Sequence, residues 1–266
     1  MAGPSNLLID DLERVSGMKK WMRLVCVFLC VLLVGGCAAP SPAGESQPQS
    51  TDDSENGSFL VKIDGTDKIV LKLPSVDRED PIADILIKDY VCGVLNTMTG
   101  ISFDLTQTQR APTEDADWYE NGYTGYAIRL GSRVTQCDDT LVSIVFEGML
   151  NNRSAAHPTQ LFFTLNYNPQ TNRTVAFSDI YSLDDSLYAS FLQAVRQKTS
   201  VRAGDDWKTM EESFLNEYCS QDDFNREMTR KDIFRYYFTE TGIGVGFPVP
   251  HAVGDYVEVE ISQGDM

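Results

Sequence analysis

From residue 59 onward, short apolar runs alternate with polar turns. Phe59–Ile63 and Ile69–Leu73 flank Asp64-Gly65-Thr66-Asp67, which predicts a β-hairpin. Pro81 then opens a segment in which Ile82, Ile85, Leu86, Tyr90 and Val94 recur at three- or four-residue spacing as far as Gly100. That spacing predicts a helix whose face of those residues packs on the sheet. Residues 106–122 are polar and predict a loop. Tyr123–Leu130 and Leu141–Leu150 read as two strands joined around Gly131-Ser132, and Gln160–Tyr167 as a further strand. Asn168-Pro169-Gln170-Thr171-Asn172 makes a turn, after which Arg173–Phe177 returns.

Ser178 and Asp179 begin a second helical region, with Leu187, Phe191, Ala194 and Val195 on one face. Another helix is expected to carry Trp207, Met210, Phe214 and Tyr218 on one face. Ile233–Phe238 resumes strand and Thr239-Glu240-Thr241-Gly242 turns. Ile243, Val245 and Phe247 then alternate with Gly244 and Gly246, and Tyr256–Ile261 closes the chain in strict alternation. Strands and a helix followed by strands, helices and strands predict an α+β fold with largely antiparallel sheets and packed helices. Two successive subdomains are expected, 58–150 and 151–266, and there is no internal repeat.

The region before residue 58 has a different character. Met18-Lys19-Lys20-Trp21-Met22-Arg23 precedes the apolar run Leu24–Val34, and Gly35-Gly36-Cys37 follows. This is the layout of an export signal: basic start, apolar centre, small residues at the cut. Eleven apolar residues extend about 16 Å as a helix at ~1.5 Å per residue, short of the ~30 Å needed to span a bilayer. Val34-Gly35-Gly36-Cys37 resembles the bacterial lipobox, in which the cysteine receives a diacylglycerol thioether and the chain is cut before it. The expectation is a lipoprotein with signal 1–36, lipid on Cys37, and a place on the outer face of a membrane. Residues 1–17 contain Asp10, Asp11 and Glu13, which export signals avoid; translation is expected to start at Met18. Residues 38–57 hold no apolar side chain larger than alanine. They predict a flexible linker, part of a tether over 37–57, with a reach of about 25 Å.

Charge narrows the partners. The chain has 22 basic and 39 acidic residues. Without residues 1–36, which hold four and three of these, 18 and 36 remain, a net charge near −18. This excludes nucleic acid as a natural partner and favours cationic ones. Of six cysteines, Cys92, Cys137 and Cys219 remain after the signal and Cys37 are set aside. Three allow at most one disulfide, and buried free thiols are the plainer expectation.

The searches for chemistry come back nearly empty. There is no nucleophile elbow, phosphate loop or dinucleotide fingerprint. Gly242-Ile243-Gly244-Val245-Gly246 lies in a strand with Phe247-Pro248 after it, so no helix amides follow to bind phosphate. Asp138-Asp139, Asp184-Asp185 and Asp222-Asp223 are adjacent pairs whose side chains diverge, which suits turns and helix starts rather than acid–base work. The only histidines are His157 and His251; with a carboxylate they offer a bare minimum for zinc, without any local ligand spacing. Asp255 and Glu258 follow no calcium-loop pattern. No cofactor, metal or catalytic set is expected. Low-ranking candidates for ligand contact are His157, Pro158, His251 and Trp118, the last beside Tyr119 and Tyr123 in the polar loop.

Leu141–Phe146 precedes Ala155-Ala156-His157-Pro158, which Phe162–Tyr167 and then Thr174–Tyr181 follow. With Tyr237–Ile243 and Gly254–Val259, this order resembles the extracellular domain of the RsiV-type anti-sigma factors. The same domain accompanies some peptidoglycan deacetylases and occurs in stand-alone lipoproteins. Residues 59–150 are similar to the companion domain that precedes it. Ala155 stands where the family usually has glycine. The resemblance implies an α+β extracellular module; in RsiV-type members it recognises lysozyme, a cationic enzyme. From the sequence, neither a cytoplasmic segment sized to hold a sigma factor nor a deacetylase domain is expected. The expectation is a lipid-anchored envelope binding module, for lysozyme or a cell-wall glycan, and not an enzyme. The alternatives are a peptidoglycan-acting enzyme using His157 or His251, and an accessory subunit of a membrane complex.

Overall fold

Three asparagine or aspartate turns set the frame of the fold. The computed structural model describes residues 58–74, 76, 81–108, 110, 122–200, 214–251 and 254–266. The signal, Cys37, the linker and Trp118 lie outside them, as do Trp207 and Met210. In the first hairpin, Asp64 Oδ1 accepts the N–H groups of Thr66 at 2.6 Å and Asp67 at 2.8 Å, closing β1 (Phe59–Ile63) onto β2 (Lys68–Lys72). Asp138 Oδ1 does the same for Thr140 and Leu141 at 2.7 and 2.9 Å, joining β4 (Tyr126–Cys137) to β5 (Val142–Asn152). Asn168 Oδ1 holds the turn between β6 (Thr159–Asn168) and β7 (Arg173–Thr174). In each, the short side chain accepts the amides that would otherwise go unpaired at the turn.

The larger sheet has seven strands in the order β3-β1-β2-β4-β5-β6-β7. All its pairings are antiparallel except β2 with β4. Between those two the chain runs through α1 (Pro81–Thr99), which crosses one face of the sheet, and through β3 (Thr106–Thr108) on its far edge. Pro81 opens α1 and Gly100 ends it, at φ 73° with its N–H on Asn96 O. Under α1, Leu60, Ile69, Leu71, Ile144, Phe146 and Phe163 form the first core.

The second sheet is small. It runs β10-β9-β8, where β8 is Tyr236–Thr239, β9 Gly242–Pro248 and β10 Tyr256–Ser262. One face is covered by α2 (Asp185–Ser200), helical residues 214–218 and α3 (Gln221–Thr229). Phe191, Phe224, Tyr236, Phe238 and Phe247 make up its centre. Among the described residues no strand continues this sheet beyond β8; side chains of the large sheet take that place. Thr164 Oγ1 and Asn166 Nδ2 (2.9 Å) donate to Tyr236 O, Ser143 Oγ accepts from Phe238 N at 2.9 Å, and Thr135 Oγ1 donates to Phe238 O at 2.8 Å. Ser143, Thr164 and Asn166 are fully buried. A buried polar residue is stable only when bonded, and here the same bonds satisfy the edge of β8.

The α+β class with mainly antiparallel sheets is as the pattern predicts; several details differ. The buried face of α1 is Ala83, Ile87, Val91 and Val94, while Ile82 (54%) and Ile85 (60%) are exposed. Apolar residues surround α1 on more than one stripe, so periodicity alone selects no unique face. Gly131-Ser132 is no turn: β4 runs straight through it, and Ser132 Oγ donates to Lys72 O. A glycine bends a strand only where something satisfies the turn amides, and Asp138 supplies that later. The polar loop includes β3, α3 lies where no element is expected, and Phe177–Asp179 is a 3₁₀ turn before α2 begins at Asp185. Residue 150 lies in β5, which pairs with β6 from Val142 to Leu150. Cys92, Cys137 and Cys219 are free; Cys219 is buried and Cys92 half-buried, but Cys137 is exposed.

Candidate functional site

The face of the small sheet turned away from its helices carries the most chemistry. It is built on the glycines of β9. A Cβ at Gly244 would overlap the Tyr237 ring, and one at Gly246 the Phe162 ring. Without side chains there, both aromatic rings approach the strand closely. Tyr256 packs on Phe162 with ring centroids 4.9 Å apart, and Val145 completes the cluster.

Charge surrounds these rings. The Arg133 guanidinium sits over Tyr237, 5.0 Å from the ring centroid, bonds Glu258 and lies 3.9 Å from Glu147. Tyr237 Oη is 2.8 Å from Glu258 and 3.0 Å from Glu260. A phenol has one proton, so it donates to one of the two carboxylates at a time. Burial, and then the charge of Glu258, hold the Tyr237 phenol well above its ordinary range. Burial and then Glu147 push Tyr256 up to about 12. Both phenols are therefore neutral donors near pH 7. Three carboxylates (Glu147, Glu258, Glu260) thus gather about the Arg133 guanidinium and its Tyr237 partner, while a second guanidinium, that of Arg235, bonds Phe162 O; the carboxylates outnumber the two and the face is locally negative.

At the end of the face where β9 turns into β10, the two histidines meet. Their rings stack with centroids 5.9 Å apart and planes 24° from parallel. His251 Nδ1 is 2.8 Å from Asp255 Oδ1, whose other oxygen accepts the Gln160 N–H at 2.7 Å. A carboxylate accepts only, so Nδ1 carries the hydrogen in this bond and Nε2 is turned away from Asp255. Asp255 holds this position with φ at 66°, a left-handed conformation that aspartate tolerates better than most residues. His157 is exposed on the turn before β6, which Asn152 Oδ1 braces through Ser154 N at 2.9 Å.

Pro158, half-buried, leads into β6 directly after His157. Two of the low-ranking candidates are thus brought together, with Pro158 beside them. Among the described residues no group of three or more His, Cys, Asp or Glu is arranged to hold a metal ion. Asp255 and Glu258, weighed in the sequence as calcium ligands, instead clamp His251 and Arg133.

No protein-family model matches the chain, and no curated protein matches it. Two of the solved structures it is similar to are DUF3298 family proteins. One, from Pseudomonas aeruginosa PAO1, is 13% identical over 79% of this chain and 89% of its own, with a TM-score of 0.46. Another, from Bacteroides fragilis NCTC 9343, is 14% identical over 74% and 81%, with a TM-score of 0.38.

Arg133, Glu147, Tyr237, Glu260 and Tyr256 had no signal in the sequence as a set. They come from four strands, and only the alternation of β10, with Tyr256, Glu258 and Glu260 on one side, marks part of it. Two clefts lie elsewhere. One of about 290 Å³ is lined by Tyr218, Arg226, Phe247 and Pro250, and one of about 380 Å³ by Phe177, Arg230, Lys231 and Tyr236. Neither is lined by a histidine.

Proposed function

We propose that this chain is a lipid-anchored binding module on the outer face of a bacterial membrane, without catalytic activity of its own. Its partner is a cationic protein such as lysozyme, or a cell-wall glycan. The observation that carries this reading is the rim of the face described above, where Glu147, Glu258 and the exposed Glu260 gather about Arg133 over a buried aromatic cluster. Carboxylates held in place on such a rim select a basic partner. The net charge of −17 for the whole chain steers such a partner over longer range.

The experiment is calorimetry of the full chain with lysozyme at low and at physiological salt. Binding retained at physiological salt supports recognition; binding lost with added salt reduces it to bulk charge attraction. Absence of binding at both turns the search to peptidoglycan fragments.

One observation favours a second reading. The Asp255–His251 pair orients an imidazole as a general base would be oriented, and His157 stands beside it. A hydrolase acting on peptidoglycan would lose turnover, while keeping binding, in His251→Ala. No release of fragments from peptidoglycan by the unaltered chain removes this reading.

A further inference from the structure

β10 is the outer strand of the small sheet, and among the described residues no strand pairs with its far edge. The register says which groups face outward. Gly246 donates to Arg235 O, so Gly242, Gly244 and Gly246 bond toward β8. Ile243, Val245 and Phe247 then bond toward Ile261, Val259 and Val257 of β10. The continuations agree, with Val249 N on Asp255 O and Gln263 N on Thr241 O. The backbone N–H and C=O of Glu258 and Glu260 therefore project from the open edge.

The other edges are closed or short. β3 has three residues and β7 two. β8 is met by side chains of the large sheet. The outer edge of β6 is occupied by Asp255, Phe234 and Tyr90, which bond Gln160 N, Thr164 N and Thr164 O. β10, with seven residues and no irregularity in its register, is an open edge along its whole length among the described residues, whereas β4 is unpaired on the β2 side only beyond Leu130, where Ser132 and Thr135 bond Lys72 O and Phe238 O. Its two central outward-bonding positions are glutamates, with Glu260 exposed, between Tyr256 and Ser262. Lysine, proline and bulges, common guards of an open edge, are absent from it.

We infer that β10 accepts an extended basic segment of a protein partner as an added strand, a proposal that rests on the binding-module reading and specifies how the partner is held. Main-chain bonds to Glu258 and Glu260 would supply affinity, and lysine or arginine at alternate positions would lie opposite the two carboxylates. A second copy of this chain is disfavoured as the occupant. Antiparallel pairing of β10 with itself sets glutamate opposite glutamate, and like charges opposed across strands repel.

The test uses the full chain and an end-capped peptide, Lys-Val-Lys-Val-Lys-Val-Lys, in three forms: unmodified, N-methylated on the valines, and N-methylated on the lysines. Opposite Glu258 and Glu260 the lysines would exchange the backbone bonds, so only lysine methylation blocks the shared edge while leaving the charge intact. The expected result is binding of the first two forms, slowed amide exchange at Glu258 and Glu260, and affinity at least about tenfold weaker for the third, one lost contact of ~1.4 kcal/mol. Glu260→Pro, which removes an outward N–H and no bond to β9, should weaken the unmodified peptide similarly. Equal affinity for all three forms, unchanged exchange at both amides, or no binding of any form would overturn strand addition. Lysozyme binding that survives salt alongside any of those results keeps the acidic face as the binding site; its loss as well brings down both.

Discussion

The Ser143 hydroxyl accepts the Phe238 N–H at 2.9 Å and donates to Asn166 Oδ1 at 2.5 Å. One serine thus performs the role of a neighbouring strand for β8 and ties the small sheet to the large one. Ser143→Ala leaves the Phe238 amide and the Asn166 carbonyl buried without that partner. The expected loss is about 1–3 kcal/mol, read as a lower urea midpoint at unchanged slope.

Gly244 and Gly246 are positions where a single methyl group is too large. Alanine at either must displace the Tyr237 or Phe162 ring that lies on it. We expect Gly244→Ala and Gly246→Ala each to cost about 1–3 kcal/mol, the usual range for overpacking. Thermal melts measure the loss, and near-UV dichroism would report the displaced ring. Alanine at Gly65, which has open space around it, is the control.

Glu147 and Glu258 flank Arg133 on the acidic face. Reversing Glu147 to lysine should slow association with lysozyme and flatten its dependence on salt, with less effect on dissociation. Glu147 is the better choice because its side chain is 44% exposed and Glu258 is 23%. Stopped-flow association at several salt concentrations measures this; an unchanged association rate would remove Glu147 from the encounter surface.

Acid should loosen the segment leading into β8. The Arg230 guanidinium bonds both oxygens of Asp232, at 3.1 and 2.8 Å. Those bonds hold its carboxyl at about 2, below the ordinary 3.8. A carboxyl lowered by folding stabilises the fold above its unfolded pKa and loses that contribution as pH falls through its folded one. The contribution of Asp232 is therefore complete above about pH 4 and disappears toward pH 2. Asp232→Asn should flatten the fall in stability across that window, and only slightly, since the pair is exposed. Denaturant midpoints at pH 6, 4 and 2.5 show the slope.

Thiol labelling separates the three cysteines of the folded part. Cys137 is exposed at the end of β4. Burial pushes the Cys219 thiol up to about 12 and raises that of Cys92. Since the thiolate is the reactive form, Cys137 should take up iodoacetamide first and Cys219 last, as mapped by peptide mass spectrometry. Labelling of Cys219 as fast as Cys137 would mean that the helical layer over the small sheet opens readily.

Most strands and turns could be read from the chain because the signals there are local. Asp64 and Asn168 each stand at the start of a turn and bond amides two or three residues on, whereas the pattern misplaces the turn at Asp138 to Gly131-Ser132, because glycine is the commoner turn signal. The alternation of β10 likewise needs only its own seven residues. α3 had no such signal: Phe224 and Met228 are its buried apolar residues, and Glu227 is buried with them, so its apolar stripe is too sparse to notice. The face of α1 was ambiguous because apolar residues occupy two stripes, and the choice between them belongs to the sheet beneath.

The sequence by itself determined the class of fold, the turns at Asp64, Asn168 and Thr239, the glycine alternation of β9 and the acidic character of the chain, since each follows from neighbours along the backbone. Only the tertiary structure decided that His157 and His251 stack, that Asp255 orients one of them, and that Arg133 from β4 meets Glu258 from β10. It also decided that Gly244 and Gly246 serve as beds for aromatic rings. Such contacts join residues tens of positions apart, and their geometry is fixed by how two sheets dock. That docking depends on the buried bonds of Ser143, Thr164 and Asn166, polar residues whose partners no local pattern names.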